Sequence, residues 1–197
     1  MVVNLKLISS AIAIVLTFLA LFPYIFSILS GSIKPHFFSW VIWGITTIII
    51  FFTQVQAEGG VGAWPVGISG ILTMLIAYLA FVKHSNVSIS NEDRLFLLAA
   101  LMSLPVWYLT ANPLWAVCIL TFIDLLGFGP TIRKAYYSPY DESLPFFMIF
   151  VVRNFFVVIA LEHYSFTTLL FPLSIIFATA FLVGLMIYRR RTYAKSN

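Results

Sequence analysis

The chain reads as an all-α polytopic membrane protein: seven transmembrane helices as two three-helix bundles plus a linker helix (3+1+3), with the N-terminus outside and the C-terminus inside. Three observations predict this fold. The composition is 61% hydrophobic and 9% charged with a mean hydropathy of +1.02, a balance far from that of a soluble domain. Apolar runs recur along the chain, most of them near the roughly 20 residues a helix needs to cross hydrocarbon. Finally, residues of one kind return at an offset of 107, as in Pro23 and Pro130, Pro65 and Pro172, and Lys83 and Arg190. That recurrence marks a duplication, and two copies of a helical membrane unit facing each other leave a cleft at the bilayer midplane.

The first run, Leu5 to Leu29, exceeds a signal-peptide core in length and lacks a small-x-small cleavage site, so it is expected to persist as a helix. Phe37 to Val55 forms the second span and Val61 to Val82 the third; the glycine-rich Glu58 to Gly62 between them reads as a tight turn. It lacks the Lys-Ser/Thr ending of a phosphate-cradling loop. The polar loop Lys83 to Arg94, with His84, Asn86, Asn91, Glu92 and Asp93, joins the copies. Leu95 to Thr110 is the shortest run and contains Pro105, yet two copies in one orientation require an odd helix between them. Pro113 to Ile132, Leu144 to Leu161 and Phe166 to Tyr188 complete the second copy. The domains are therefore 1–83 for the first bundle, 84–111 for the loop and linker helix, and 112–197 for the second bundle and its basic tail.

Seven spans place Lys34, Lys83, Arg94, Arg133, Lys134, Arg189, Arg190, Arg191 and Lys195 on one face against Lys6 on the other. Basic residues collect in cytoplasmic loops, which sets the orientation. The formal net charge of +4 thus follows from insertion and does not call for nucleic acid. The expected partners are the lipid bilayer and a small polar or anionic solute, and an oligomer is left open. A bacterial inner, or plasma, membrane is the default location.

Pro23 and Pro130 lie near the cytoplasmic ends of the first and fifth spans. Each frees a backbone carbonyl one turn earlier, and reads either as a hinge or as a helix terminator. Pro65 and Pro172 fall early in spans three and seven, where a first-turn proline is well tolerated.

Of 11 basic and 7 acidic residues, only Asp124 and Arg153 fall in the middle of spans. Each alone costs roughly 2.5–3.5 kcal/mol on insertion scales, so such groups face a protein interior or a watery cavity. Asp124 lies nine residues before Arg133, and Arg153 nine after Leu144, so both sit about 14 Å from the cytoplasmic boundary. The expectation is that they meet, either as a structural ion pair or as a site that exchanges partners with cargo or a proton. Thr17, and Thr46 with Thr47, stand 107 positions before Asp124 and before Arg153 with Asn154. A cavity polar in one half and ionic in the other follows. Trp40, Trp43, Thr47 and Gln54 share one face of the second span at about 100° per residue. Its indoles suit a ring-shaped or polar ligand, although Trp40 also fits an interfacial aromatic belt.

Enzyme chemistry finds no footing. His36, His84 and His163 occupy separate loops without metal-ligand spacing, and no serine has a nucleophile-elbow context. Glu162 and His163 form an exposed interfacial pair at the outer mouth. The last span has no lysine for a retinal Schiff base, and Cys118 lacks a disulfide partner. No catalytic residue, cofactor or metal is expected.

In this architecture the chain resembles the SWEET/PQ-loop (MtN3-like) transporter superfamily. Pro23-Tyr24-Ile25 and Pro130-Thr131-Ile132 occupy the place of that family's Pro-Gln dipeptide, without the Gln. Ser143-Leu144-Pro145-Phe146 is similar to the Ser-x-Pro-Phe that opens the sixth helix of SWEET sugar carriers. Trp40-Val41-Ile42-Trp43 is similar to the Trp-x-x-Trp of related bacterial vitamin carriers of the nicotinamide-riboside type, with Thr46 where those show an amide or acid. The pocket asparagine on helix three of the SWEET family has no counterpart, and helix seven offers Ser174 and Thr179. The resemblance therefore implies the fold and leaves the solute open.

The expected function is small-solute transport by alternating access, with the bundles rocking about Pro23 and Pro130. Arg153 would hold an anionic or hydrogen-bond-accepting group, Asn154, Thr47 and Trp43 would complete the wall, and Asp124 would neutralise Arg153 in the empty state. The alternative is a membrane receptor or scaffold of the same fold that binds without translocating.

Overall fold

The structure, a computed structural model, describes residues 2–31, 37–83, 91–137, 139–140 and 143–196. Lys34, His36, His84 and Asn86 lie outside the described residues, as do the side chains of Glu92, Asp93, Pro130, Arg133, Lys134 and Lys195. Among the described residues the chain is all helical: α1 (Val2–Leu29), α2 (Phe37–Gln56), a 3-10 turn (Gly60–Gly62), α3 (Trp64–Lys83), α4 (Asn91–Thr110), α5 (Pro113–Tyr137), α6 (Leu144–Ala160) and α7 (Phe166–Ser196).

Local chemistry sets the helix starts. The Ser143 hydroxyl accepts from the Phe146 N–H at 3.4 Å, with Pro145 in the first turn of α6, where its missing N–H is no loss. The Ser-x-Pro-Phe string is thus a helix cap. Asn112 Oδ1 accepts from the Leu114 N–H at 3.0 Å and opens α5 in the same way. At α7 the Ser165 and Thr168 side chains each accept from the other's backbone N–H, at 3.3 and 3.0 Å.

The prolines behave differently from one another. α1 continues past Pro23 to Leu29 and α5 past position 130 to Tyr137, so neither proline ends its helix and the terminator reading is set aside. Pro65 stands in the first turn of α3, as expected. Pro172 does not, because α7 begins at Phe166 and the proline falls in its second turn. α4 runs unbroken through Pro105.

Among the described residues, three helices are long and apolar enough to cross a membrane by length and composition, at Asn4–Leu29, Gly60–Lys83 and Phe166–Thr192; α2, α4, α5 and α6 contribute shorter apolar segments. Large apolar side chains such as Phe26, Ile71, Phe122 and Phe177 are exposed on the outer faces. Such an exterior is compatible with a membrane protein.

α3 packs on both α1 and α2, and α7 packs on both α5 and α6. The two trios then meet through α1 against α6 and α2 against α5, with α4 lying on α5 and α2. This crossed arrangement places the mid-helix side chains of α1, α2, α5 and α6 around one interior.

Candidate functional site

A cavity of about 480 Å³ occupies that interior. It is lined by α2 through Trp40, Trp43 and Thr47, by α5 through Asp124, and by α6 through Arg153 and Asn154. It extends toward the end of the bundle where α1 finishes and α6 begins, reaching Pro23, Ser27, Thr131 and Ser143. Pro23 and Ser143 are exposed, so the cavity lining reaches the surface at that end.

Arg153 is only 2% exposed and is held at three nitrogens. Nε donates to Thr17 Oγ1 at 3.1 Å, Nη1 to Asn154 Oδ1 at 2.9 Å, and Nη2 to the Pro65 carbonyl at 2.6 Å. Thr17 in turn donates to the Ala13 carbonyl at 2.8 Å, which turns its lone pairs toward the guanidinium. Asn154 donates to the Phe150 carbonyl at 2.8 Å and so presents its oxygen. One side chain of α6 thereby ties α1, α3 and α6 together.

Asp124 is 5% exposed, and its Oδ1 accepts from Thr46 Oγ1 at 2.8 Å. Thr46 is the only hydrogen-bond donor to this carboxyl among the described residues. The expected Asp124–Arg153 ion pair does not form: among the described residues, each is bound to the opposite trio instead. The cause is the packing order, since α5 and α6 are separated by α7 and both face the first trio. Reasoning from equal depth alone missed that lateral separation.

The two contacts are related by the same offset as the sequence. Thr17–Arg153 joins α1 to α6, and Thr46–Asp124 joins α2 to α5; Asp124 lies 107 positions after Thr17, and Arg153 the same distance after Thr46. Each hydroxyl of one trio meets a charged group of the other.

Thr17 is fully buried and does not line the cavity. It supports Arg153 from behind, which corrects its expected place as a solute contact. Gln54 shares that α2 face but does not line the cavity: it is fully buried and donates to the Thr168 carbonyl at 3.0 Å. Thr47, Trp43 and Trp40 do line the cavity. Tyr24 lies 4.9 Å from Trp40, and Trp40 lies 5.6 Å edge-on from Trp43, giving a continuous aromatic wall. The Trp43 indole lies across α5 because position 127 has no side chain: a Cβ on Gly127 would sit 2.8 Å from Trp43 Nε1.

Sequence reasoning overlooked Tyr24, Ser69, Thr73, Phe146 and Phe150, all of which line the cavity. A tyrosine, two hydroxyls and two phenylalanines in an apolar helix carry no signal apart from depth and face. Thr179 of α7 lines it too, whereas Ser174 does not.

The other end of the bundle is closed by polar stitching between the trios. Lys6 Nζ donates to the carbonyls of Leu161 at 2.7 Å and Glu162 at 3.1 Å. The Glu162 carboxylate accepts from the Val61 N–H at 3.2 Å, and its own N–H donates to the Gly59 carbonyl at 3.1 Å. Ser10 Oγ donates to the Val61 carbonyl at 2.6 Å. The Glu58 to Gly62 segment is the tight turn expected, with φ of 59° at Glu58 and Gly60. Gly62 abuts the end of α6 so closely that a Cβ would lie 2.6 Å from the Leu161 nitrogen. Glu162 therefore serves this junction, and both it and His163 are exposed, as expected.

No protein-family model, curated protein or solved structure matches this chain.

Proposed function

We propose that the protein is a small-solute transporter working by alternating access between two repeated bundles, with the solute held in a midplane pocket near Asp124 and Arg153. One observation carries the reading: the only two charges in the middle of the apolar helices line a single cavity, walled by both copies, that reaches one end of the bundle while the other end is stitched shut. A carrier caught in one access state has this form. The seven-span N-out/C-in topology, the plasma-membrane location and the resemblance to the SWEET/PQ-loop superfamily belong to the same proposal. On that topology the cavity faces the cytoplasm and the Lys6–Glu162 junction is the outer gate.

The site chemistry divides the roles. Arg153 binds and positions, since its hydrogen bonds reach both copies. Asp124 offers the solute a carboxyl with a single protein donor, and the aromatic wall excludes water from a ring placed against it.

The test is counterflow in proteoliposomes preloaded with unlabelled candidate solutes. Accumulation of labelled solute supports a carrier, and its loss in Asp124→Asn supports the site. Saturable binding without exchange would instead favour the receptor alternative.

A further inference from the structure

The lining of the cavity specifies its ligand beyond "small solute", and the argument rests on the cavity being a solute site. Asp124 and Arg153 both line it, yet neither neutralises the other by direct contact. Arg153 uses three of its N–H groups on neutral protein acceptors, whereas a guanidinium has five to give. Asp124 accepts one hydrogen bond, from Thr46, whereas a carboxylate can accept about four. Both poles thus retain unused capacity inside a low-dielectric interior, where unpaired charge is costly.

The sign of the ligand follows from neutrality. A carboxylate and a guanidinium together carry no net charge, so a purely cationic or purely anionic solute would leave one buried charge uncompensated. An uncharged solute can hydrogen-bond to both poles but brings no opposite charge to either. A solute with one charge of each sign satisfies both and keeps the interior neutral. Tyr24, Trp40 and Trp43 form a row of rings along one wall, and Phe146 and Phe150, 4.7 Å apart, line the cavity from α6. Aromatic rings along a cavity wall favour a flat ring in the ligand. A volume of about 480 Å³ lies within the range that holds a small organic molecule.

We propose that the cavity binds an aromatic zwitterion, with its ammonium on Asp124, its carboxylate on Arg153 and its ring against the Tyr24–Trp40–Trp43 wall. From the sequence, Arg153 was expected to hold an anionic or hydrogen-bond-accepting group and Asp124 to neutralise Arg153 in the empty state; the separation of the two charges makes both poles recognition groups.

The experiment measures binding of L-tryptophan, L-tyrosine and L-phenylalanine to the purified full-length protein by isothermal titration, beside the matching decarboxylated amines and deaminated acids. At least one zwitterion is expected to bind about tenfold or more tightly than its own amine and acid, a difference of about 1.4 kcal/mol or more. Asp124→Asn is expected to erase the preference for zwitterion over acid, and Arg153→Gln that for zwitterion over amine. Because Arg153 also ties helices together, Thr46→Val provides a second variant: it keeps the carboxyl and should preserve the order of preference at altered affinity. No binding of any of the three zwitterions, or equal binding of an amine or acid, overturns the inference. Counterflow of the bound zwitterion separates the two claims. Binding without exchange retains this ligand class and removes the transport reading, while exchange of an uncharged solute with no zwitterion binding does the reverse.

Discussion

Two hydroxyls decide how the charged residues behave. Thr17 and Thr46 are related by the duplication to Asp124 and Arg153, yet they do different work. Thr17 is sealed behind Arg153, so Thr17→Val is expected to lower stability by about 0.6 kcal/mol, the average for hydrogen bonds inside a membrane bundle, and by no more than about 1.7, with little change in solute affinity. Thr46 supports Asp124 at the cavity wall. Thr46→Val is therefore expected to alter binding at least severalfold for a comparable stability loss. Melting in detergent alongside titration separates the two, and equal effects on affinity would contradict the division. The charges were legible in the sequence, because an ionised group in the middle of an apolar run needs a reason. Their partners were not. Depth along a helix can be counted from residue numbers, but the direction a side chain faces depends on which helices are neighbours, and that is a property of packing.

At the level of elements, most of the helices were readable from apolar runs, and the Ser143 and Asn112 caps explain why α6 and α5 start where they do. Helix ends were less so. α5 and α7 run on through polar and basic residues to Tyr137 and Ser196, beyond the point where hydrophobicity stops. There Arg189 Nε donates to the Tyr136 carbonyl at 2.8 Å and its guanidinium covers the Tyr136 ring. The turn after α2 was visible in its glycines, but its function as a junction was not, since nothing local links it to Leu161 and Glu162. Gly62→Ala forces a Cβ into the backbone of α6, and Lys6→Ala removes the donor to two carbonyls. Both are expected to loosen the closed end, raising thiol labelling of Ser69→Cys from that side at least severalfold; unchanged labelling in both would remove the gate. Positions 23 and 130 lie within continuous helices, and a hinge there is part of the proposed carrier reading. Pro23→Ala restores a backbone hydrogen bond and should slow solute exchange more than it changes binding, as counterflow rates compared with titration would show.

The whole molecule is two trios of helices crossed over one another, held by Thr17–Arg153 and Thr46–Asp124 across the middle and by Lys6, Val61 and Glu162 at one end. On the proposed carrier reading, closure at one end and access at the other make one access state, and the bundles would rock about Pro23 and Pro130. The 107-residue offset outlined this symmetry at the sequence level, through residues such as Pro23 and Pro130. The crossing of α1 onto α6 and α2 onto α5 was not legible, because nothing in an apolar repeat states which copy a helix faces. The most direct test of the central claim is two-sided labelling of Thr47→Cys, with the exposed Cys118 replaced by serine, in oriented membrane vesicles using an impermeant thiol reagent. The account predicts labelling from the cytoplasmic side alone, and labelling from the opposite side once Lys6→Ala or Gly62→Ala is added. A cysteine that reacts from neither side, or equally from both whether or not the junction is intact, would contradict it.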